Sequence, residues 1–138
     1  MVEQREISNP EFGFDEDPHK VAQNIKGATL LVGSSSFTIT EVQGFTREEN
    51  DTGAYRVLLG EAPGTLVGVP HRKAEALPLI VTHDGSCVLI RGMTISDQDD
   101  QLKHIKGPGK VSQAIGLISR DVRRITIEDP YAKVLRLI

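Results

Sequence analysis

The chain has 138 residues and a net charge of −3, with 16 Lys and Arg against 19 Asp and Glu. That length fits one domain that buries a single core without a structural metal, and the lone cysteine, Cys87, excludes an internal disulfide framework. No apolar run reaches the length of a membrane span, and the acidic start "MVEQREISNPEFGFDED" is the opposite of a signal peptide, so a reducing, cytoplasmic location is expected.

Taken in chain order, residues 1–16 are polar, acidic and aperiodic, which predicts a flexible arm with Phe12 and Phe14 as tethers to a body spanning residues 17–138. "DPHKVAQNIKG" predicts a short helix: Asp17 caps it, Pro18 suits its first turn, Val21, Ala22 and Ile25 share a face, and Gly27 stops it. "ATLLV" and "FTITEVQGF" bracket "GSSS" and read as a hairpin. Within it, "ITEVQGF" alternates, placing Ile39, Glu41, Gln43 and Phe45 on one face and Thr40, Val42 and Gly44 on the other.

"TREENDTGAYRVLLGEAPG" reads as a loop with at most a short element. "GTLVGV" and "LPLIVTH" predict a second hairpin with His71, Arg72 and Lys73 at its tip, and "CVLIRGMTI", after the turn "HDGS", predicts the clearest strand. Cys87 lies in this apolar run and reads as a small core residue. "SDQDDQLKH" reads as a polar link to a helix opened by Gly-Pro-Gly in "KGPGKVSQAIGLI", and "ITIED" and "AKVLRLI" as two closing strands. The order predicts an α+β single domain on a curved antiparallel, open-barrel-like sheet with a few short helices.

The charges are unevenly spread. Residues 1–62 hold 5 Lys and Arg against 11 Asp and Glu, whereas residues 63–138 hold 11 against 8. A basic half can face phosphates; uneven sign on a solvated surface is the plainer reading. His19, His83 and His104 lack ligand spacing, so no metal site is expected.

In order, "DPHKVAQNIKG", "ITEVQGF", "AYR", "PGTL", "DGSCVLIRG" and "GPGKVSQAIGL" resemble the alkyladenine (methylpurine) DNA glycosylase family over about residues 17–129. Such enzymes flip a damaged purine from duplex DNA and hydrolyse its bond to the sugar with an activated water, needing neither metal nor organic cofactor. The resemblance implies double-stranded DNA or a nucleobase as partner, a monomer with no membrane association, and a nucleoid-associated location. Glu41 matches a family glutamate, but Gln43 stands where the family carries its catalytic glutamate, and an amide cannot accept a proton from water.

The rest of the site is carried over unevenly. Phe45 replaces a stacking tyrosine, Gly53 replaces a pocket histidine beside Tyr55, and Pro78 falls near a family asparagine. The hairpin bearing His71, Arg72 and Lys73 lacks the family's tyrosines, while Arg91 and the Gly107, Pro108, Gly109 and Lys110 start of the helix match the DNA-contacting scaffold. The resemblance therefore implies a shortened, degenerate member related to base-excision repair, with weakened or lost hydrolysis. Two alternatives are an active glycosylase using Glu41, Glu48 or Glu49 as base, and an interaction domain that no longer binds nucleic acid.

Overall fold

A computed structural model describes residues 13–49, 58–71, 75–96 and 99–138. The first element is α1 (Pro18–Ile25), whose Asp17 Oδ1 accepts from the His19 N–H at 2.8 Å. The helix ends at Ile25, Lys26 turns extended, and Gly27 takes φ +88°, the left-handed region in which glycine avoids a side-chain clash. Val21, Ala22 and Ile25 are buried, as their spacing predicts.

Among the described residues eight strands follow: β1 (Thr29–Val32), β2 (Ser35–Phe45), β3 (Thr65–Pro70), β4 (Ala76–Val81), β5 (Cys87–Ser96), β6 (Leu102–Lys106), β7 (Val122–Asp129) and β8 (Val134–Leu137). Helix α2 (Pro108–Ile115) lies between β6 and β7. Both expected hairpins form, β1 with β2 and β3 with β4.

The expectation of an open, wholly antiparallel sheet is corrected in two ways. The strand order β2-β1-β8-β7-β3-β4-β5-β6 carries a further β2–β5 pairing, which closes seven strands into a barrel with β6 attached outside it. The pairing of β1 with β8 is parallel, from Thr29↔Val134 to Val32↔Leu137. Periodicity identifies strands but does not say which distant pair will meet. The sequence read as a polar link also supplies a strand at its end, because Leu102–Lys106 pairs with Gly92–Ser96.

Alternating residues fill the barrel. Leu30, Ile39, Leu66, Ile80, Val88, Ile90, Met93, Ile125 and Leu135 join residues from both helices in one interior cluster. Phe14 belongs to it as well, and its ring lies against Gly64; Phe12 is outside the described residues. Each fully buried aliphatic side chain contributes about 1.5–3 kcal/mol of transfer free energy, so this interior dominates the stability.

A second apolar cluster lies on the outer side of β3, β4 and β5: Val67, Val69, Leu79, Val81, Cys87 and Leu89, together with Leu58, and with Phe45 and Leu77 packed on it. Cys87 is 1% exposed, and burial pushes its thiol pKa up to about 12. The far edge of β5 changes partner along its length. Leu79–Val81 of β4 pair with its first residues and β6 with its last, while α2 packs against all three strands and its Ser112 hydroxyl donates to the Ala76 carbonyl at 2.8 Å. No helix among the described residues is long and apolar enough to cross a membrane.

Candidate functional site on the outer face of strands two and five

The stretch "ITEVQGF" does not keep one alternation through β2. Its pairing with β5 runs Ile39↔Met93, Glu41↔Gly92, Val42↔Ile90, with register shifts on both sides of Glu41. Ile39 and Val42 both face the interior, as do Ile90 and Met93, so each strand carries two residues between consecutive inward positions. A β-bulge of this kind re-aims the side chains beyond it. The expectation that Ile39 shares a face with Glu41, Gln43 and Phe45 is therefore corrected: Ile39 is 0% exposed inside the barrel, whereas Glu41 and Gln43 are open to solvent on its outside.

Across the strand pair, the Arg91 Nη1 donates to Gln43 Oε1 at 3.2 Å. The Gly107 N–H donates to the Arg91 carbonyl at 2.8 Å, which brings the Gly107–Lys110 segment beside that arginine. The Glu41 carboxylate leans over Gly92: a Cβ built on that glycine would lie 3.1 Å from Glu41 Oε1. Residues far apart in the chain, Glu41, Gln43, Arg91 and Gly107, thus meet on one open surface.

On the buried side of β2, Gly44 lets α1 approach, since a Cβ there would stand 2.6 Å from the Pro18 carbonyl oxygen. This close approach sets the entry of α1 onto the strand that carries Gln43.

The remaining expected site residues are dispersed. Phe45 is half-buried, pairs with Cys87 and packs on the outer apolar cluster, so its ring is engaged with protein. His71 is exposed, and its N–H closes the β3–β4 turn onto the Glu75 carbonyl at 2.9 Å. Gly53, Tyr55, Arg72 and Lys73 lie outside the described residues. At the start of α2, Gly107 has φ +100° and provides no side-chain cap, Pro108 and Gly109 form the first turn, and Lys110 is exposed. The Glu75 carboxylate sits against Gly109, with its Cδ 3.1 Å from where a Cβ would be. A helix N-terminus attracts negative charge, and here a carboxylate of the chain itself is already beside it.

The alternative bases differ in availability. Glu49 Oε1 accepts from the Thr46 N–H at 2.8 Å and lies 3.4 Å from His19 Nε2. The Thr46 backbone N–H bond, followed by smaller contributions from the Thr46 hydroxyl and His19, holds the Glu49 carboxyl below its ordinary value, which makes it a poorer proton acceptor. Glu48 is exposed on the same turn. Glu41 is the carboxylate nearest Gln43 along β2, but it stands on an open face where water is not held in a dry, fixed geometry.

The chemistry available to Gln43 and Arg91 is hydrogen bonding. The amide nitrogen and guanidinium provide donors for anionic oxygens or base edges, and neither takes a proton at neutral pH. Among the described residues no three His, Cys, Asp or Glu side chains converge as metal ligands. No protein-family model matches the sequence, and no curated protein matches it either.

Proposed function

We propose that the chain is a methylpurine-DNA-glycosylase-like domain, related to base-excision repair, that binds double-stranded DNA or a modified nucleobase and has lost hydrolysis of the glycosidic bond. The reading rests on the resemblance described above, and the observation that carries it is the Gln43–Arg91 hydrogen bond. An amide occupies the base position, and it is held by the arginine that the resemblance places beside the flipped nucleotide's backbone. Gly107 on the Arg91 carbonyl adds support, because it joins the matched loop to the same place. A cytoplasmic, nucleoid-associated monomer belongs to the same proposal.

The test uses the full chain and a duplex carrying alkylated or deaminated purines under single-turnover conditions. Wild type is expected to bind with an affinity that falls as salt rises and to release no base. Gln43→Glu is expected to begin releasing base, because it restores a proton acceptor where the amide stood. Excised purines from wild type would overturn the loss of hydrolysis, and their disappearance in Glu41→Gln would assign the reaction to Glu41.

A second reading, an interaction domain that no longer contacts nucleic acid, is favoured by Phe45. Its ring packs on the outer apolar cluster that includes Leu79 and Val81 instead of standing free as a stacking plate. Absence of duplex binding at low salt would select this reading.

A further inference from the structure

We infer that the outer face of the β5–β6 pair carries the phosphodiester backbone of a nucleic acid, with His104 and Lys106 as phosphate contacts continuing the surface begun by Arg91. This rests on the proposed function and adds residues that the resemblance does not supply.

Three features lead to it. The register sets Thr94 opposite His104 and Gly92 opposite Lys106, while Met93 pairs with Ile105. Met93 and Ile105 belong to the interior packing, so His104 and Lys106 point to the outer side, where both are exposed. They stand about 7 Å apart along the strand.

The row Glu41–Gly92–Lys106 runs across three strands, and Gly92 at its centre is buried because the Glu41 carboxylate leans over it. A backbone laid there runs past the Glu41 carboxylate toward Lys106, and in the row above it, Thr38–Thr94–His104, Thr94 is buried while Thr38 and His104 are exposed. Gly107 follows Lys106 directly and is bonded to the Arg91 carbonyl, so Lys106 lies beside Arg91, while exposed Lys110 follows one helical turn on, past the Glu75 carboxylate at Gly109.

The charges are available for a ligand. Among the described residues, none of His104, Lys106 and Lys110 enters an ion pair; the pairs present involve His19, Lys20, Arg47 and Arg136. Glu41 is the one acid in these rows, and it opposes an anion. Phosphate neutralisation by such cations is what makes nucleic-acid affinity depend on salt, and a polar strand face with exposed Thr38, His104 and Lys106 fits a backbone better than an apolar segment.

The test measures binding of the full chain to a labelled duplex across a salt series, for wild type, Lys106→Ala, His104→Ala, Glu41→Gln and the remote control Lys20→Ala. Lys106→Ala is expected to weaken binding for every duplex sequence and to lower the log–log salt slope by about 1. His104→Ala should act in the same direction, Glu41→Gln should tighten binding, and Lys20→Ala should leave it unchanged. Thermal melts of the same variants establish that each is folded, and hydrogen exchange with and without duplex should protect residues 102–106. If wild type binds duplex while Lys106→Ala and His104→Ala match it in affinity and slope, the inference is wrong and the proposed function stands. If wild type binds no duplex, both fall. Lys106-dependent binding to phosphatidylserine vesicles without duplex binding would reassign the face to a lipid surface and overturn the inference.

Discussion

Two surfaces meet on the outer side of the β2–β5 pair, and they differ although the same two strands build both. Toward β4, Phe45, Cys87 and Leu89 join Leu79 and Val81 in an apolar cluster that also buries Leu58 completely. Toward β6, Glu41, Gln43 and Arg91 stand open beside Lys106 and His104. The change falls at the paired bulge, where β5 also exchanges β4 for β6 as its neighbour. The lesson is that a strand face takes its character from what lies beside and above it; alternation alone would have made it uniform.

Emptying the interior should have the largest effect. Ile90, 0% exposed, and Arg91 are consecutive on β5 but face opposite sides. Ile90→Ala should destabilise by about 2–5 kcal/mol in denaturant titration, the usual cost of emptying an aliphatic core position. Next in size is Gly44→Ala, expected at about 1–3 kcal/mol, because the added Cβ meets the Pro18 carbonyl and either α1 or β2 must shift.

The covered and open surfaces should then separate by their response to alkali. Burial raises the Cys87 thiol from 9.0 to about 12. Below about pH 9 the thiol is neutral in both folded and unfolded chains; above it the unfolded chain loses the proton and the folded one keeps it. Stability from this group is therefore lost as pH rises through that window, at about 1.4 kcal/mol per pH unit. Cys87→Ala should flatten that part of the pH–stability curve relative to wild type, and in the native protein Cys87 should resist thiol reagents at neutral pH.

The smallest effect belongs to the open side. Arg91→Ala should change stability by less than about 0.5 kcal/mol, since it removes an exposed side chain with one side-chain hydrogen bond. It should nonetheless weaken duplex binding clearly. An Arg91→Ala protein that melts several degrees lower would place the arginine with the framework instead.

Much of the framework was legible in the chain. Asp17 and Pro18 marked the start of α1 through a cap and a preset dihedral angle, and Gly107-Pro108-Gly109 marked the start of α2. The long apolar run after Cys87 gave β5, because only a strand buried on both faces for part of its length tolerates that composition. The bulge was not legible: Thr40 and Glu41 carry no glycine or proline, and the slip is compensated by Arg91 and Gly92 on the partner strand, which lies some fifty positions on. Strand β6 was hidden because Lys, His and Lys on an exposed edge give it the polarity of a loop. The engagement of Phe45 was equally obscure, as its register partner Cys87 belongs to a separate strand. The candidate site was therefore readable as residue types, whereas its gathering around Arg91 depended on long-range register.

The parallel pairing of Thr29–Val32 with Val134–Leu137 has a consequence for how the molecule forms. About a hundred residues separate the two sides of that seam, so the ring stays unsealed until Val134–Leu137 has been made. Such a high contact order slows folding, because loop-closure entropy is spent before the pairing repays it. A chain truncated after Asp129 should remain an unjoined sheet with β1 exposed as a sticky edge, and a growing chain on the ribosome passes through that vulnerable stage every time it is made.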